Sequence, residues 1–379
     1  MAILDQQPHE SPPPTFEGAS RRRRRGRVVA LFATVVLLWP ALSYIRALTY
    51  PGAAGVGDRT VEWVRDNGGG GLVDLAENWW YAQGPTAPAP IPSSIPGPRV
   101  ASVPRQPQPA ALTALVGAPA ISGEGVWVAG PLAPSGTPAL YTTFIRPDPR
   151  HPSVVAGVAR MDPSLLTFHS VPGTLQPVPD PAQPAEVPAV LRPSLVATFN
   201  SGFKMADANG GFAVDGHTVV PLRDGAASLI VRADGTATVD RWGSGAGPGV
   251  VSVRQNLDLV VEDGQPVPGL GSNADGSWGS AKNQLQYTWR SGVGVDAAGH
   301  LIYVGGDSMT LVTLGAALVQ AGVVTGMELD IHANKVDFFT YTHDGSRAPQ
   351  ATRLLPGMPG PGDRYLQRDL RDFFVASLR

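Results

Sequence analysis

The chain has 379 residues, 43% of them hydrophobic, a formal net charge of -2 and no cysteine. That apolar content supplies a substantial core and excludes disorder throughout, while the missing cysteines exclude disulfides, thiolate metal sites and a Cys nucleophile. Only 16% is charged, whereas 45 Gly and 38 Pro call for long loops or linkers between packed parts.

Residues 1–27 carry six Arg against Asp5, Glu10 and Glu17, a net +3, which leaves -5 for the remainder. The bulk of the chain is therefore not built to bind nucleic acid. Residues 1–27 are polar, proline-rich and then arginine-rich, and are expected to be a disordered cytoplasmic segment. Val28–Ile45 (VVALFATVVLLWPALSYI) is uncharged and just long enough to span a bilayer core as a helix. Basic residues stay on the cytoplasmic side, so the expectation is a single-pass cell-membrane anchor with the main domain outside. The alternative is a signal peptide, including a twin-arginine one, cleaved on secretion.

Residues 46–83 are expected to form a juxtamembrane helical stalk. Two short amphipathic helices carry one stripe at Val61 and Val64 and another at Leu72, Leu75 and Trp79, with Gly68–Gly71 as the break. Trp79, Trp80 and Tyr81 suit either a lipid interface or a cap on the following domain. Residues 84–110 are too proline-rich to pack and read as a semi-rigid linker.

From 111 to 379 short β-branched runs dominate, and the fold class expected is α+β, a mixed β-sheet domain with a few packing helices. Strands are predicted at Ala139–Phe144, Val154–Met161, Leu195–Asn200, Ala227–Val231, Ala237–Asp240, Val250–Val261, Gly292–Asp296, Leu301–Val304, Met327–His332 and Val336–Tyr341. Thr310–Ala321 is the one clear helix of this region, with Thr310 as N-cap and Gly322 past its end. Pro172–Pro193 reads as a long loop, and QRDLRDFF near the C-terminus as a short helix.

Four stretches carry more polar detail than a core requires. In ATFNSGFKMADANGGF a strand ends at Asn200, and the loop after it holds Gly202 and Lys204, where glycines let backbone approach a ligand or merely make a tight turn. VSVRQNLDLVV alternates Arg254, Asn256 and Asp258, as a strand with one wet face would. In WRSGVGVD, Arg290 is a candidate phosphate ligand because its planar fork donates two parallel hydrogen bonds, although a surface ion pair is the commoner fate of an arginine. The fourth, MELDIHANKVDFFTY, places Glu328, Asp330 and His332 at alternate positions, hence on one face of a strand.

Two carboxylates so placed lie roughly 6–7 Å apart at the backbone, compatible with paired acid and base roles in glycoside cleavage. The outer two of the three residues are roughly 13 Å apart along an extended strand, which argues against their sharing a metal ion. No nucleotide-binding fingerprint is present, and neither a metal nor a cofactor is expected.

Taken in order, ATFNSGF, NGGF, RSGVGVD, LIYVGG and a Thr-capped helix ending AGVVTGMELD resemble the phosphodiester glycosidase family over about Val154–Tyr341. The resemblance implies a mixed α+β domain and hydrolysis of a sugar-1-phosphodiester, and its motifs fall on Asn200, Gly202, Phe203, Arg290 and Asp330. With the alternating motif added, the expectation is that Asp330 and Glu328 form the acid/base or nucleophile pair, that His332 orients them or transfers a proton, that Arg290 with Arg254 and Lys204 holds the phosphate, and that Asn200 beside Gly202 binds sugar hydroxyls. Asp330 falls on the aspartate of the family's Leu-Asp-Gly-Gly signature, but Ile331, His332, Ala333 and Asn334 stand where glycines and serine are usual, so a bulkier pocket is implied. The partner expected is a glycosyl phosphodiester of a cell-envelope glycan or lipid-linked sugar. The rival reading is a non-catalytic envelope protein, glycan-binding or scaffolding, that keeps the fold.

Overall fold

The computed structural model describes residues 38–50, 54–81, 84–85, 108–177, 184–243, 247–280, 285–343, 345 and 348–379. The expected disordered segment, residues 28–37 of the expected anchor, and residues 86–107 of the expected linker lie outside these. Among the described residues no helix is long and apolar enough to cross a membrane.

The chain from residue 111 onward is α+β, as expected, and its strands form three antiparallel sheets. The largest has eight strands in the order β1 (Val128–Ala129), β2 (Leu140–Ile145), β3 (Ala156–Met161), β14 (Leu301–Met309), β13 (Thr288–Asp296), β15 (Val323–Ile331), β11 (Leu259–Glu262), β12 (Gln265–Pro266). A second sheet runs β7 (His217–Val220), β6 (Phe212–Val214), β10 (Val250–Gln255), β8 (Ala227–Arg232), β9 (Ala237–Arg241). The third runs β17 (Gln350–Arg353), β16 (Phe338–Thr342), β5 (Leu195–Asn200), β18 (Phe373–Leu378), β4 (Leu166–Val171).

Residues 38–49 form helix α1; α2 is Val56–Val64, α3 Gly70–Tyr81 and α4 Leu311–Gln320. Helix α4 starts where expected, because the Thr313 amide donates to Thr310 Oγ1 at 3.2 Å and satisfies one of the donors left open at a helix N-terminus. Leu311, Leu314 and Leu318 bury its apolar face against Val260, Val304 and Val323 of the large sheet. Gly292 makes that approach possible: a Cβ there would stand 3.2 Å from Leu318 Cδ1 and 2.9 Å from the Met327 carbonyl. The main core cluster includes Phe199, whose ring stacks 5.4 Å from Phe374 and 6.0 Å from Phe338.

Two expectations need correction. Val250–Val261 is not one strand with a wet face: Leu257 takes a left-handed φ of 59° and the chain passes from β10 in one sheet to β11 in another. The C-terminal QRDLRDFF is not a helix either. Only Arg364–Leu366, just upstream, makes a single 3-10 turn, and Phe373 and Phe374 open β18, which is buried on both faces and so lacks the alternation that marks a half-exposed strand.

Helices α2 and α3 are the two short helices expected and form a hairpin, broken where Asn67 and Gly68 leave helical geometry (Gly68 φ 87°). Helix α1 packs on α2, with Tyr44 edge-on to Trp63 at 5.1 Å and Trp63 Nε1 donating to Ser43 Oγ at 3.0 Å. The apolar stripe of α3 is turned outward, Leu72, Leu75 and Trp79 all being exposed. Its polar side and that of α2 face the sheet domain.

Candidate functional site: a cavity between the hairpin and the end of β15

A cavity of about 660 Å³ lies where the hairpin meets the sheet domain. Asp330, His332, Lys335, Arg371, Phe203 and Lys204 line it from the domain, and Asp58, Glu62, Arg65, Asp66, Glu77 and Tyr81 from the hairpin.

Its geometry follows from a register shift. Gly292 pairs with Glu328 and Arg290 with Ile331, so two steps along β13 match three along β15. The extra residue is a β-bulge, which breaks the alternation of side chains and re-aims those beyond it. Glu328 and Asp330 consequently do not share a face as the sequence pattern suggested. Glu328 is fully buried, with Oε1 2.7 Å from Arg290 Nη1, and Arg290 also donates to the carbonyls of Met309 and Gln286. Neither residue lines the cavity.

Asp330 does line it. Its backbone amide donates to the Ser201 carbonyl at 2.9 Å, its carbonyl accepts from Ser291 Oγ at 2.8 Å, and its Oδ2 lies 2.9 Å from Arg371 Nη2. Burial raises the Asp330 pKa above the usual aspartate value, against the opposing pull of Arg371 and Lys335.

His332 follows the strand in left-handed backbone, φ 75°, which a residue with a Cβ adopts only under constraint from its surroundings. Its amide donates to the Trp289 carbonyl at 2.8 Å, Nδ1 sits 3.1 Å from Thr288 Oγ1, and the ring stacks on Tyr81 at 5.8 Å. Burial holds its pKa down to about 3, and the cations Arg290, Arg65 and Lys335 push the same way, so the ring is neutral.

The other expected ligands separate into two groups. Lys204 lines the cavity, 3.7 Å from Glu62 and 3.2 Å from Asp66. Asn200, Gly202 and Arg254 do not line it. Asn200 is buried and its amide is used internally: Nδ2 donates to Ser291 Oγ, and Oδ1 accepts from Tyr303 Oη and the Asp337 amide. Gly202 gives its carbonyl to Arg371 Nη2 at 2.9 Å and has no room for a Cβ, which would meet Asn256 Oδ1 at 2.9 Å. Arg254 is buried in an ion pair with Asp372 at 2.7 Å and braces the Phe203 carbonyl.

Among the site residues that went unread in the sequence are Arg371, Lys335 and Glu62. Arg371 lay in the segment taken for a helix, and Glu62 in the helix taken for a stalk. Lys335 did carry a signal, as one of only three lysines in the chain and three residues beyond His332. Among the described residues no group of three or more His, Cys, Asp or Glu side chains is arranged to hold a metal.

The piece of chain that runs from the lead-in to β5 through the bulge to Asp330 can be compared with known proteins. Residues 193–330 match the phosphodiester glycosidase family. The glycosidase match ends on the cavity's own aspartate and takes in Asn200, Lys204, Arg254, Arg290 and Glu328, while Lys335, Arg371 and the hairpin fall outside it. Among solved structures, the zebrafish N-acetylglucosamine-1-phosphodiester alpha-N-acetylglucosaminidase catalytic domain, described as auto-inhibited by its pro-peptide, is similar at 16% identity and a TM-score of 0.43, over 66% of this chain and 87% of that one. A protein from Synechocystis is similar at 12% identity and a TM-score of 0.37, over 64% of this chain and 63% of that one. A comparison with curated proteins gives no match.

Proposed function

We propose that the chain hydrolyses a sugar-1-phosphodiester of a cell-envelope glycan or lipid-linked sugar, with Asp330 as the group that handles the proton. The observation that carries this reading is a desolvated carboxylate on the wall of a cavity, its pKa raised toward working pH, at the end of a stretch that matches the glycosidase family. Asp330 takes the proton of a water whose oxygen bonds to the sugar's anomeric carbon. The electron pair of the breaking carbon–oxygen bond leaves with the phosphate, whose charge Lys204 meets from the cavity wall. Arg371 orients the Asp330 carboxylate, and the Arg290–Glu328 pair and Asn200 act as positioning residues that support the bulge and the strand end. Neutral His332 bounds the site on the side of Tyr81.

The purified chain assayed on a panel of sugar-1-phosphodiesters is expected to release a free reducing sugar and a phosphomonoester. Asp330→Asn is expected to lower turnover by about 10²- to 10⁴-fold, the span typical of a lost general base. Equal turnover by both proteins removes Asp330 from the chemistry.

A non-catalytic, glycan-binding role is the second reading, favoured by the Tyr81–His332 stack beside the cavity where the family's signature has glycine. Saturable binding of an envelope polysaccharide without product would select it. Membrane anchoring through Val28–Ile45 completes the proposal, with support from Leu38, Trp39, Leu42 and Ile45, all exposed on α1. Release of the full chain from membranes by alkaline carbonate would remove the anchor.

A further inference from the structure

The geometry points to Lys204 and Lys335 as a binding site for the anionic phosphate of a phosphodiester ligand, a site that the carboxylate of Glu62 from α2 occupies in the closed chain. This deepens the proposed function by naming which residues take the phosphate and what must leave to admit it.

The two lysines come from loops far apart in sequence and converge on one carboxylate: Lys335 Nζ is 2.7 Å from Glu62 Oε1, and Lys204 Nζ is 3.7 Å from Glu62 Oε2. Among the described residues, every acidic group within ion-pair distance of either lysine belongs to the hairpin. The domain itself directs Arg371 onto Asp330, and among the described residues the direct ion pairs of both ammonium groups all come from the hairpin. Lysine is a compact point charge suited to a phosphate oxygen, and a carboxylate oxygen pair presents a similar target.

The remaining wall chemistry fits the same division. The hairpin contributes Asp58, Glu62, Asp66, Asp74 and Glu77 against Arg65, whereas the domain side has Lys204, Lys335 and Arg371 against Asp207 and Asp330. A strongly acidic cover lies on a wall with a cationic excess. Both oxygens of Asp58 also accept from Asn334 Nδ2 at 2.8 Å, which fixes α2 over the two lysines. Removing the Glu62 charge therefore weakens the cover and vacates the lysines in one step.

The test uses the full chain and titrates dimethyl phosphate, a phosphodiester monoanion, with inorganic phosphate in parallel, by calorimetry. Glu62→Gln is expected to bind dimethyl phosphate at least tenfold more tightly than the unaltered chain, and adding Lys335→Met or Lys204→Met to Glu62→Gln is expected to reverse the gain. Glu62→Asp, which keeps the charge but shortens its reach, is expected to fall between, and serves if Glu62→Gln does not fold. Equal affinity in the unaltered chain and Glu62→Gln, or a gain that survives loss of either lysine, overturns the site. Phosphate binding of the expected pattern without turnover of any sugar phosphodiester keeps this site and removes the hydrolase reading. Turnover that is indifferent to Lys204 and Lys335 does the reverse.

Discussion

At the scale of single residues, the pair Arg290 and Glu328 illustrates how one inserted residue reassigns chemistry. Both are fully buried and bonded to one another, which makes each dependent on the other. Breaking a buried ion pair by neutralising one partner leaves a desolvated charge and costs about 3–5 kcal/mol. Glu328→Gln is accordingly expected to lower the chain's unfolding free energy by about that amount in a denaturant titration. A loss below about 1 kcal/mol would mean that the pair is not the brace described. The residue types at this place were legible in the sequence: Glu328 and Asp330 do stand at the end of a strand with His332 just past it, and Asp330 and His332 do meet at a cavity. The bulge was not legible, because a one-residue slip is set by pairing with β13 and leaves no mark on β15 alone. Arg371 was illegible for a related reason, since it reaches Asp330 only through the pairing of a distant strand.

At the scale of elements, the hairpin and the end of β15 are linked through His332, whose ring faces Tyr81 and Glu77 on α3, Arg65 at the bend, and Thr288, Arg290 and Lys335 of the domain. Under the hairpin its pKa is about 3, and on exposure it returns toward the ordinary value of about 6.5. Between those limits the open form binds a proton that the closed form refuses, so a falling pH favours opening. Glu62 acts in the same sense at lower pH. Burial would raise its pKa, but Lys335 and Lys204 outweigh that and lower it to about 2, so its contribution to closure is complete above about 4.5 and is lost as pH falls toward 2. Glu77 opposes both, because burial raises its pKa despite Arg65 and it holds its proton better when covered. Hydrogen-exchange protection of the α2 and α3 amides, corrected for intrinsic rates, is expected to fall from pH 7 to pH 5. His332→Asn, which tolerates left-handed backbone, is expected to flatten that fall. The same slope in both proteins would dissociate the hairpin from His332. The helices themselves were readable from their stripes and the glycine break. Their docking was not, because it uses the polar faces, whose partners belong to loops some 140 and 270 residues further on.

At the scale of the molecule, the third sheet depends on a strand drawn from the far end of the sequence. β18 lies between β5 and β4, pairing Phe374 with Phe199 on one side and with Ser170 on the other, and its Phe374 stacks on the Phe199 ring. Removing residues 373–379 is expected to abolish cooperative unfolding altogether, seen as loss of a calorimetric transition, rather than to trim a peripheral strand. A retained transition at similar temperature would show that the sheet closes without it. Most strands of the domain were legible from β-branched runs, yet β18 was not, because a strand buried on both sides is written as a continuous apolar run that a helix can also use.

The position of β18 also governs when this domain can assemble. A growing polypeptide that has not yet reached Phe373 presents β4 and β5 with open backbone edges, each able to recruit a stray strand from a neighbouring molecule. Synthesis of the chain through Leu378 must therefore precede closure of this sheet, and any helper that shields those edges is needed for all of that interval.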